Sequence, residues 1–218
     1  QLFPQVILSA AHAVEYLHSR GIDYELIDFC IRTGRLYESY PHHNAVFVGK
    51  DKDGQPRYAC LRGIGTDFKG EATGSDKRFS FSIPAEESSQ VLYLFESAID
   101  LLSFAAMAQE DRLPWRSQHL LSLAGVYQPK KNLTERHLPL ALSQYLRDHR
   151  EIQTIYLCLD NDLAGRSAAD AIRQQLAGRY VVLDGFPCQG KDYNDWLCLR
   201  KGLPITRTVS KPERSMAR

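Results

Sequence analysis

Ile155-Tyr156-Leu157-Cys158-Leu159-Asp160-Asn161-Asp162-Leu163-Ala164-Gly165 is an apolar, β-branched and aromatic run that stops at two aspartates one residue apart. Such a run predicts a buried strand, and the residues after it carry the spacing of an amphipathic helix. Ala169, Ile172 and Leu176 mark that helix's inward face over 166–177, with Gly178 at its end and Gly165 giving it room against a sheet. Carboxylates at the carboxyl end of a buried strand sit where open α/β sheets place ligands. At ~5 Å and an effective dielectric of ~20, two such charges repel by roughly 3 kcal/mol, and a divalent cation between them reverses the sign. An Asx-type turn after a strand would leave the same local pattern, so the flanking segments have to decide.

Upstream, Val91-Leu92-Tyr93-Leu94-Phe95 is a second apolar run, and it ends in Glu96. Ile99, Leu102 and Ala106 continue at helical spacing, and Asp100 lies one turn beyond Glu96. Downstream, Tyr180-Val181-Val182-Leu183 reads as a strand that leads to Gly190-Lys191-Asp192-Tyr193-Asn194-Asp195. Leu120-Leu121-Ser122-Leu123 supplies a further strand, and Asn132 or Thr134 can cap a helix running to about Arg147. Strand and helix thus alternate, the pattern of a parallel sheet with helical crossovers. Three strand ends deliver acids to one edge.

Strand-Glu, then strand-Asp-x-Asp-x-Ala-Gly-helix, then Lys-Asp-x-Asn-Asp resembles the TOPRIM domain over about Gln90 to Lys201. That domain is shared by DnaG-type primases, type IA and II topoisomerases, OLD-family nucleases and ribosomal-RNA maturases. Asp160 to Gly165 with Lys191-Asp192 resembles the primase branch. The family has Gly after the glutamate where this chain has Ser97, a residue suited to a helix N-terminus.

The earlier part of the chain shows helical spacing over His12–Ser19 and Ile22–Arg32, with Gly34 as a C-cap. Val46-Phe47-Val48 and Arg57 to Arg62 flank Asp51-Lys52-Asp53-Gly54, a hairpin signal, and Phe79 to Ile83 alternates like a strand. Tyr16 to Asp23, Gly34 to Ser39, Tyr58 to Gly63 and Gly74 to Phe81 resemble a family known only as a domain of unknown function. That family precedes TOPRIM in proteins of bacterial conjugative and other mobile elements, and its layout is similar to the start of the primase catalytic core. The expected organisation is a smaller α+β domain over 1–86, a Rossmann-like TOPRIM domain with a central, mostly parallel sheet over 87–203, and a flexible basic tail over 204–218.

Composition sets bounds. The chain has 218 residues and a net charge of +1, so charge alone does not argue for nucleic acid. Arg57, Arg62, Lys69, Lys77 and Arg78 nevertheless interleave with Tyr58, Phe68, Phe79 and Phe81, a pattern that suits phosphates and stacked bases. Arg62, Lys77 and Arg78 are the cations chosen there for nucleotide or nucleic acid, with Lys191 beside the acids. No apolar run approaches the ~20 residues of a membrane span, and no signal peptide is evident. The five cysteines are odd in number and lack Cys-x-x-Cys spacing. This argues against a disulfide framework and a zinc ribbon within this chain, and for a reduced, cytoplasmic setting. His42-His43 show no partners at ligand spacing and read as loop. Because the chain opens on Gln1, a preceding segment is expected.

Hard carboxylate oxygens without neighbouring His or Cys select Mg²⁺ or Mn²⁺. Asp160 and Asp162 are the expected principal metal ligands, with Asp100 and Asp192 in support. The resemblance leaves Glu96 as either ligand or general acid/base. The expected activity is primase-like nucleotidyl transfer from NTPs on single-stranded DNA during replication or transfer of a mobile element, beside a helicase or relaxase. The alternatives are a TOPRIM nuclease and a non-catalytic nucleic-acid-binding module. A strand-passing topoisomerase would need a catalytic tyrosine on a large further domain.

Overall fold

The structure, a computed structural model, describes residues 3–6, 9–123 and 137–205. The expected caps Asn132 and Thr134 and the tail beyond residue 205 lie outside those residues.

Two five-stranded sheets organise the described residues. The first is antiparallel, in the order β1 (Gln5–Val6), β2 (Leu36–Tyr40), β3 (Ala45–Lys50), β4 (Pro56–Arg62) and β5 (Lys69–Glu71). β3 and β4 form the expected hairpin, pairing Val46 with Leu61 and Val48 with Ala59. Helices α1 (Ala11–Ser19) and α2 (Tyr24–Arg32) come before β2.

The second sheet runs in the order β10 (Val181–Asp184), β9 (Thr154–Cys158), β7 (Val91–Phe95), β8 (His119–Ser122) and β6 (Ser82–Ile83). Its first four strands are parallel and β6 is antiparallel to β8. α3 (Ala98–Glu110), α4 (Leu140–Asp148) and α5 (Leu163–Leu176) lie between successive strands, and α6 (Tyr193–Lys201) follows β10. The chain steps from β7 to β8 on one side, then crosses back to place β9 on the other. The gap between β7 and β9 is therefore the topological switch point, where doubly wound sheets bind ligands outside the strands' carboxyl ends.

Strand alternation divides the core. Leu92, Leu94, Ile155 and Leu157 face one layer with Leu142, Leu146, Ala169, Ile172 and Leu176. Phe95 and Cys158 face the other, packed with α3 and with Leu17, Ile22, Leu26 and Ile27 of the first helical pair. α3 is thus buried on nearly all sides, and Ala98, Ala105, Ala106 and Ala108 keep it slim enough to sit there. Each large side chain fully buried in these layers contributes about 1.5–3 kcal/mol.

One expected strand is corrected. Of Phe79 to Ile83, only Ser82 and Ile83 pair as a strand, while Lys77–Phe79 form a 3-10 turn in which Asp76 accepts the Arg78 amide. Asp76 fixes that turn, and burial of Phe81 and Ile83 then carries the next residues onto the edge of the second sheet, not the first.

Candidate functional site

Each acid at the switch point is placed by a strand end or a helix start. Glu96 follows β7, and its Oε1 accepts the Asp160 amide at 3.3 Å, tying the two strand ends together. Asp162 is the N-cap of α5 and accepts the Gly165 amide at 2.9 Å. That cap starts the helix at Leu163, three residues before the periodicity suggests. Gly165 is required there, because a Cβ would stand 2.0 Å from the Asp160 carbonyl oxygen. Asp192 caps α6 in the same way, accepting the Asp195 amide at 2.7 Å. Asp195 Oδ2 accepts the Lys191 amide at 3.0 Å and so holds the turn before the helix. Gly190 has φ +75°, and its missing side chain admits Asp195.

Ser97 is the N-cap of α3. Its hydroxyl takes the Asp100 amide and lies 2.5 Å from Asp100 Oδ2, while Asp100 Oδ1 accepts the Asn194 amide at 3.3 Å. The turn accommodates the serine, whose hydroxyl occupies one Asp100 oxygen while the Asn194 amide occupies the other.

Lys191 answers the crowding. Its Nζ lies 2.9 Å from Asp160 Oδ2 and 3.2 Å from Asp162 Oδ2, so the two aspartates converge on one cation supplied by the chain. These two carboxylates and the capping amides raise and lower the local protonation in different directions. Burial, and then the Asp160 charge, push Glu96 up to about 7. Burial also raises Asp160 against the pull of Lys191. The Gly165 amide and Lys191 hold Asp162 below the ordinary carboxylate range. Burial and then the Asp192 charge raise Asp100, and desolvation together with the Asp195 charge raises the half-buried Asp192. The hydrogen bond to Asp160 raises Lys191.

The fold therefore brings Glu96, Asp100, Asp160, Asp162, Lys191 and Asp192 to one sheet edge. The cations chosen from the sequence divide. Lys69 is lowered by burial and then by the charges of Arg62, Lys191 and Arg20, with Asp160 acting in the opposite sense. Lys69 is thus within electrostatic reach of Asp160 and Arg20 of Asp192, and Arg62, the cross-strand partner of Lys69, extends this basic rim. Lys77 and Arg78 are committed to carboxylates, Lys77 to Glu71 at 3.0 Å and Arg78 to Asp76 at 2.6 Å. Arg20 and Lys69 were not singled out in the sequence. Lys69 was visible as one of the interleaved basics, whereas Arg20 ends a helix far from the acids in the chain.

His43 lies in the loop expected before β3, but it is not without a partner there. His12 Nδ1 and His43 Nδ1 lie 2.9 and 2.5 Å from Glu38 Oε1, and Oε2 takes the Ala13 amide at 3.0 Å. Glu38 is fully buried, and the two rings with the first turn of α1 satisfy it. All five cysteines are free thiols. Among the described residues no helix is long and apolar enough to cross a membrane.

Comparison with known proteins agrees with this layout. Residues 15–88 match a family described as "Protein of unknown function (DUF3991)", and residues 93–197 match the family described as "Toprim-like". A "65 kDa protein" of Zymomonas mobilis is 28% identical over 203 residues, covering 88% of this chain; the chain spans 32% of that protein's length. The primase fragment of the bacteriophage T7 primase-helicase superposes with a TM-score of 0.56 at 20% identity, over 85% of this chain and 69% of that one. The RNA polymerase domain of Mycobacterium tuberculosis DnaG gives a TM-score of 0.57 at 14% identity, over 91% and 77% of the two chains. A DnaG catalytic core gives 0.56 at 17% identity, over 89% and 70%. With the sheet order and the Glu-Asp-Asp edge, these matches identify a Toprim-like domain preceded by a domain of the DUF3991 family, on the fold of DnaG-type primase catalytic cores.

Proposed function

We propose that this chain performs primase-like nucleotidyl transfer, joining nucleoside triphosphates on a single-stranded DNA template with Mg²⁺ or Mn²⁺. The observation that carries this reading is the convergence of Asp160 and Asp162 on one cationic nitrogen at the switch point, with Glu96 beside them and a basic rim within reach.

The donor set fits a hard divalent cation. It consists of carboxylate oxygens, and two of them already share a positive charge at 2.9 and 3.2 Å. Asp160 and Asp162 would hold the ion, Asp192 would support it, and Asp100, with both oxygens engaged, would orient its neighbours from behind. A bound ion would neutralise charge developing on phosphate oxygens during in-line transfer.

The chain's own groups do the rest. Glu96, poised near neutrality, is suited to take the proton of an attacking 3′-hydroxyl as the phosphodiester bond forms and pyrophosphate leaves. Arg20, Arg62 and Lys69 would hold template or triphosphate oxygens. Lys191 would exchange its carboxylate partners for a phosphate when the cation binds. A DnaG catalytic domain has been solved bound to single-stranded DNA, and the T7 relative is a primase-helicase protein. These relatives support single-stranded DNA as template and a helicase, or in a mobile element a relaxase, as partner. The free thiols support a reducing, cytoplasmic setting.

One gel assay tests this reading. Labelled single-stranded DNA is incubated with the chain, four NTPs and Mg²⁺ or Mn²⁺, beside an Asp160→Asn control. New oligonucleotides that vanish in the control support it. Shortened DNA without synthesis replaces it with a nuclease that uses the same acids. DNA binding indifferent to metal, with neither product, would reduce the chain to a binding module.

A further inference from the structure

A second cluster of ligating groups sits at the opposite end of the parallel strands. His119 begins β8, His149 caps the end of α4, and Glu151 lies in the turn before β9. All three are therefore at the amino edge of the sheet, a strand's length, roughly 15 Å, from the acids.

His119 is 3% exposed, and its Nε2 is buried without a hydrogen-bond partner among the described residues. Buried polar atoms are rarely left so, and an orphan calls for an ion or water to explain it. The nitrogen faces Glu151 Oε1 at 3.5 Å, an ion-pair separation longer than an ordinary hydrogen bond. His149 Nδ1 lies 3.4 Å from the same oxygen, and all three donor atoms fall within 4.8 Å of one another.

Those separations have a chemical meaning. Ligands bound to zinc at ~2.0–2.1 Å in a tetrahedron stand about 3.3 Å apart. Two imidazoles and a carboxylate are the donor set for a borderline divalent ion and leave one position for water. An outer partner is present as well: the Tyr145 hydroxyl lies 3.0 Å from His119 Nδ1. It can accept the Nδ1 proton and so free Nε2 to ligate. The contact given up is the long 3.4 Å approach of the Ala85 amide to Nδ1. Glu151 and His149 are partly exposed and open a way in from solvent. By contrast, the His12–Glu38–His43 group is held at 2.5 and 2.9 Å, the lengths of ordinary hydrogen bonds, and leaves nothing orphaned.

We propose that His119, His149 and Glu151 form a binding site for a transition-metal ion of the zinc type, separate from the carboxylate edge. It would clasp the start of β8 to the lead-in of β9, and the sequence's lack of a cysteine zinc motif does not bear on it. The proposal does not depend on the activity assigned above, because its readout is binding.

The experiment is calorimetric titration of the metal-free chain with Zn²⁺ alone, with Co²⁺ absorption to report tetrahedral geometry. Wild type should take up one equivalent at this site and gain about 5 °C or more in Tm at a hundredfold excess over Kd. His149→Ala/Glu151→Ala, whose side chains are partly exposed, should lose that equivalent and its cobalt spectrum while keeping the wild-type circular dichroism. Asp160→Asn and His12→Ala/His43→Ala should retain both. Zinc uptake unchanged in His149→Ala/Glu151→Ala, loss in His12→Ala/His43→Ala instead, or no uptake by wild type would each overturn the proposal.

Discussion

Asn194 and Arg20 bond each other in both directions: the Arg20 Nε donates to Asn194 Oδ1 at 2.6 Å, and Asn194 Nδ2 donates to the Arg20 carbonyl at 2.9 Å. The same amide nitrogen lies 2.9 Å from Ser103 Oγ. One buried side chain in the Lys-Asp-x-Asn-Asp segment therefore joins the end of α1, the middle of α3 and the start of α6. Lys201 extends the joint, donating to the Gly21 carbonyl at 2.7 Å and pairing with Asp23 at 2.8 Å. This places Arg20, a member of the basic rim, in a fixed position beside the acids.

Asn194→Ala should accordingly be costly. It removes three hydrogen bonds at once, leaving Ser103 only its bond to the Ile99 carbonyl and the Arg20 carbonyl only its long contact with the Cys198 thiol among the described residues, a loss of about 2–4 kcal/mol. For a chain of this size that corresponds to a Tm lower by roughly 4–16 °C. Thermal unfolding followed by circular dichroism checks it; a Tm within a degree of wild type would mean the joint contributes little.

Lys191→Met tests what the lysine does between the two aspartates. Without the ammonium, Asp160 and Asp162 face each other uncompensated, so the variant should unfold about 3 °C lower in EDTA, as expected for a half-exposed pair contributing about 1 kcal/mol. Added Mg²⁺ should then raise the variant's Tm by more than it raises that of wild type, where the lysine competes for the same oxygens. An equal or smaller Mg²⁺ shift in the variant would show that the ion binds elsewhere. The repulsion anticipated from the Asp-x-Asp spacing is thus already moderated, and Asp160→Asn should relieve less strain than the sequence implies.

The basic rim separates two sets of cations that look alike in sequence. Arg62→Ala/Lys69→Ala should weaken binding of a labelled single-stranded oligonucleotide at least tenfold and lower the slope of log K against log salt by about 1.4, at ~0.7 per phosphate contact. Lys77→Ala/Arg78→Ala, whose charges already serve Glu71 and Asp76, should change affinity less than about threefold. Fluorescence anisotropy at several salt concentrations measures both. The reverse ranking would put the nucleic-acid path over the 3-10 turn instead.

What was legible in the sequence follows from range. β7 and β9 are legible because an apolar run that stops at an acid is a local signal, and the parallel sheet follows from the alternation of strand and helix. The β3–β4 hairpin is legible because Asp53-Gly54 names its turn. β6 is not: two residues carry no period, and its partner Leu120–Leu121 lies far along the chain. The N-cap roles of Asp162 and Asp192 were open to reading, since each precedes a helical run, but their suitability as ligands hid the simpler task. The Glu38 and His119 groupings were out of reach, because segments about 25 or more residues apart meet in each. Charge type can be read from a sequence, whereas the pairing that removes Lys77 and Arg78 from the rim exists only in the fold.

Glu38 gives the chain a dependence on pH that can be isolated. Burial pushes its carboxyl up, but the His43 ring, the Ala13 amide and the His12 ring together hold it below the ordinary carboxylate range. A group whose folded value is depressed contributes stability that is fully present above its unfolded value, near 4.3 for a glutamate, and is lost as pH falls through the folded value. Glu38→Gln keeps the size of the side chain but not the charge that both rings and the amide engage, so it should melt several degrees lower than wild type at pH 6. The gap between the two should close as the pH is taken from about 4.5 toward 3, because wild type alone loses this contribution there. Paired thermal melts across that range measure it. A gap that stays constant down to pH 3 would show that the hydrogen bonds to Glu38 act through shape alone and that its charge adds nothing.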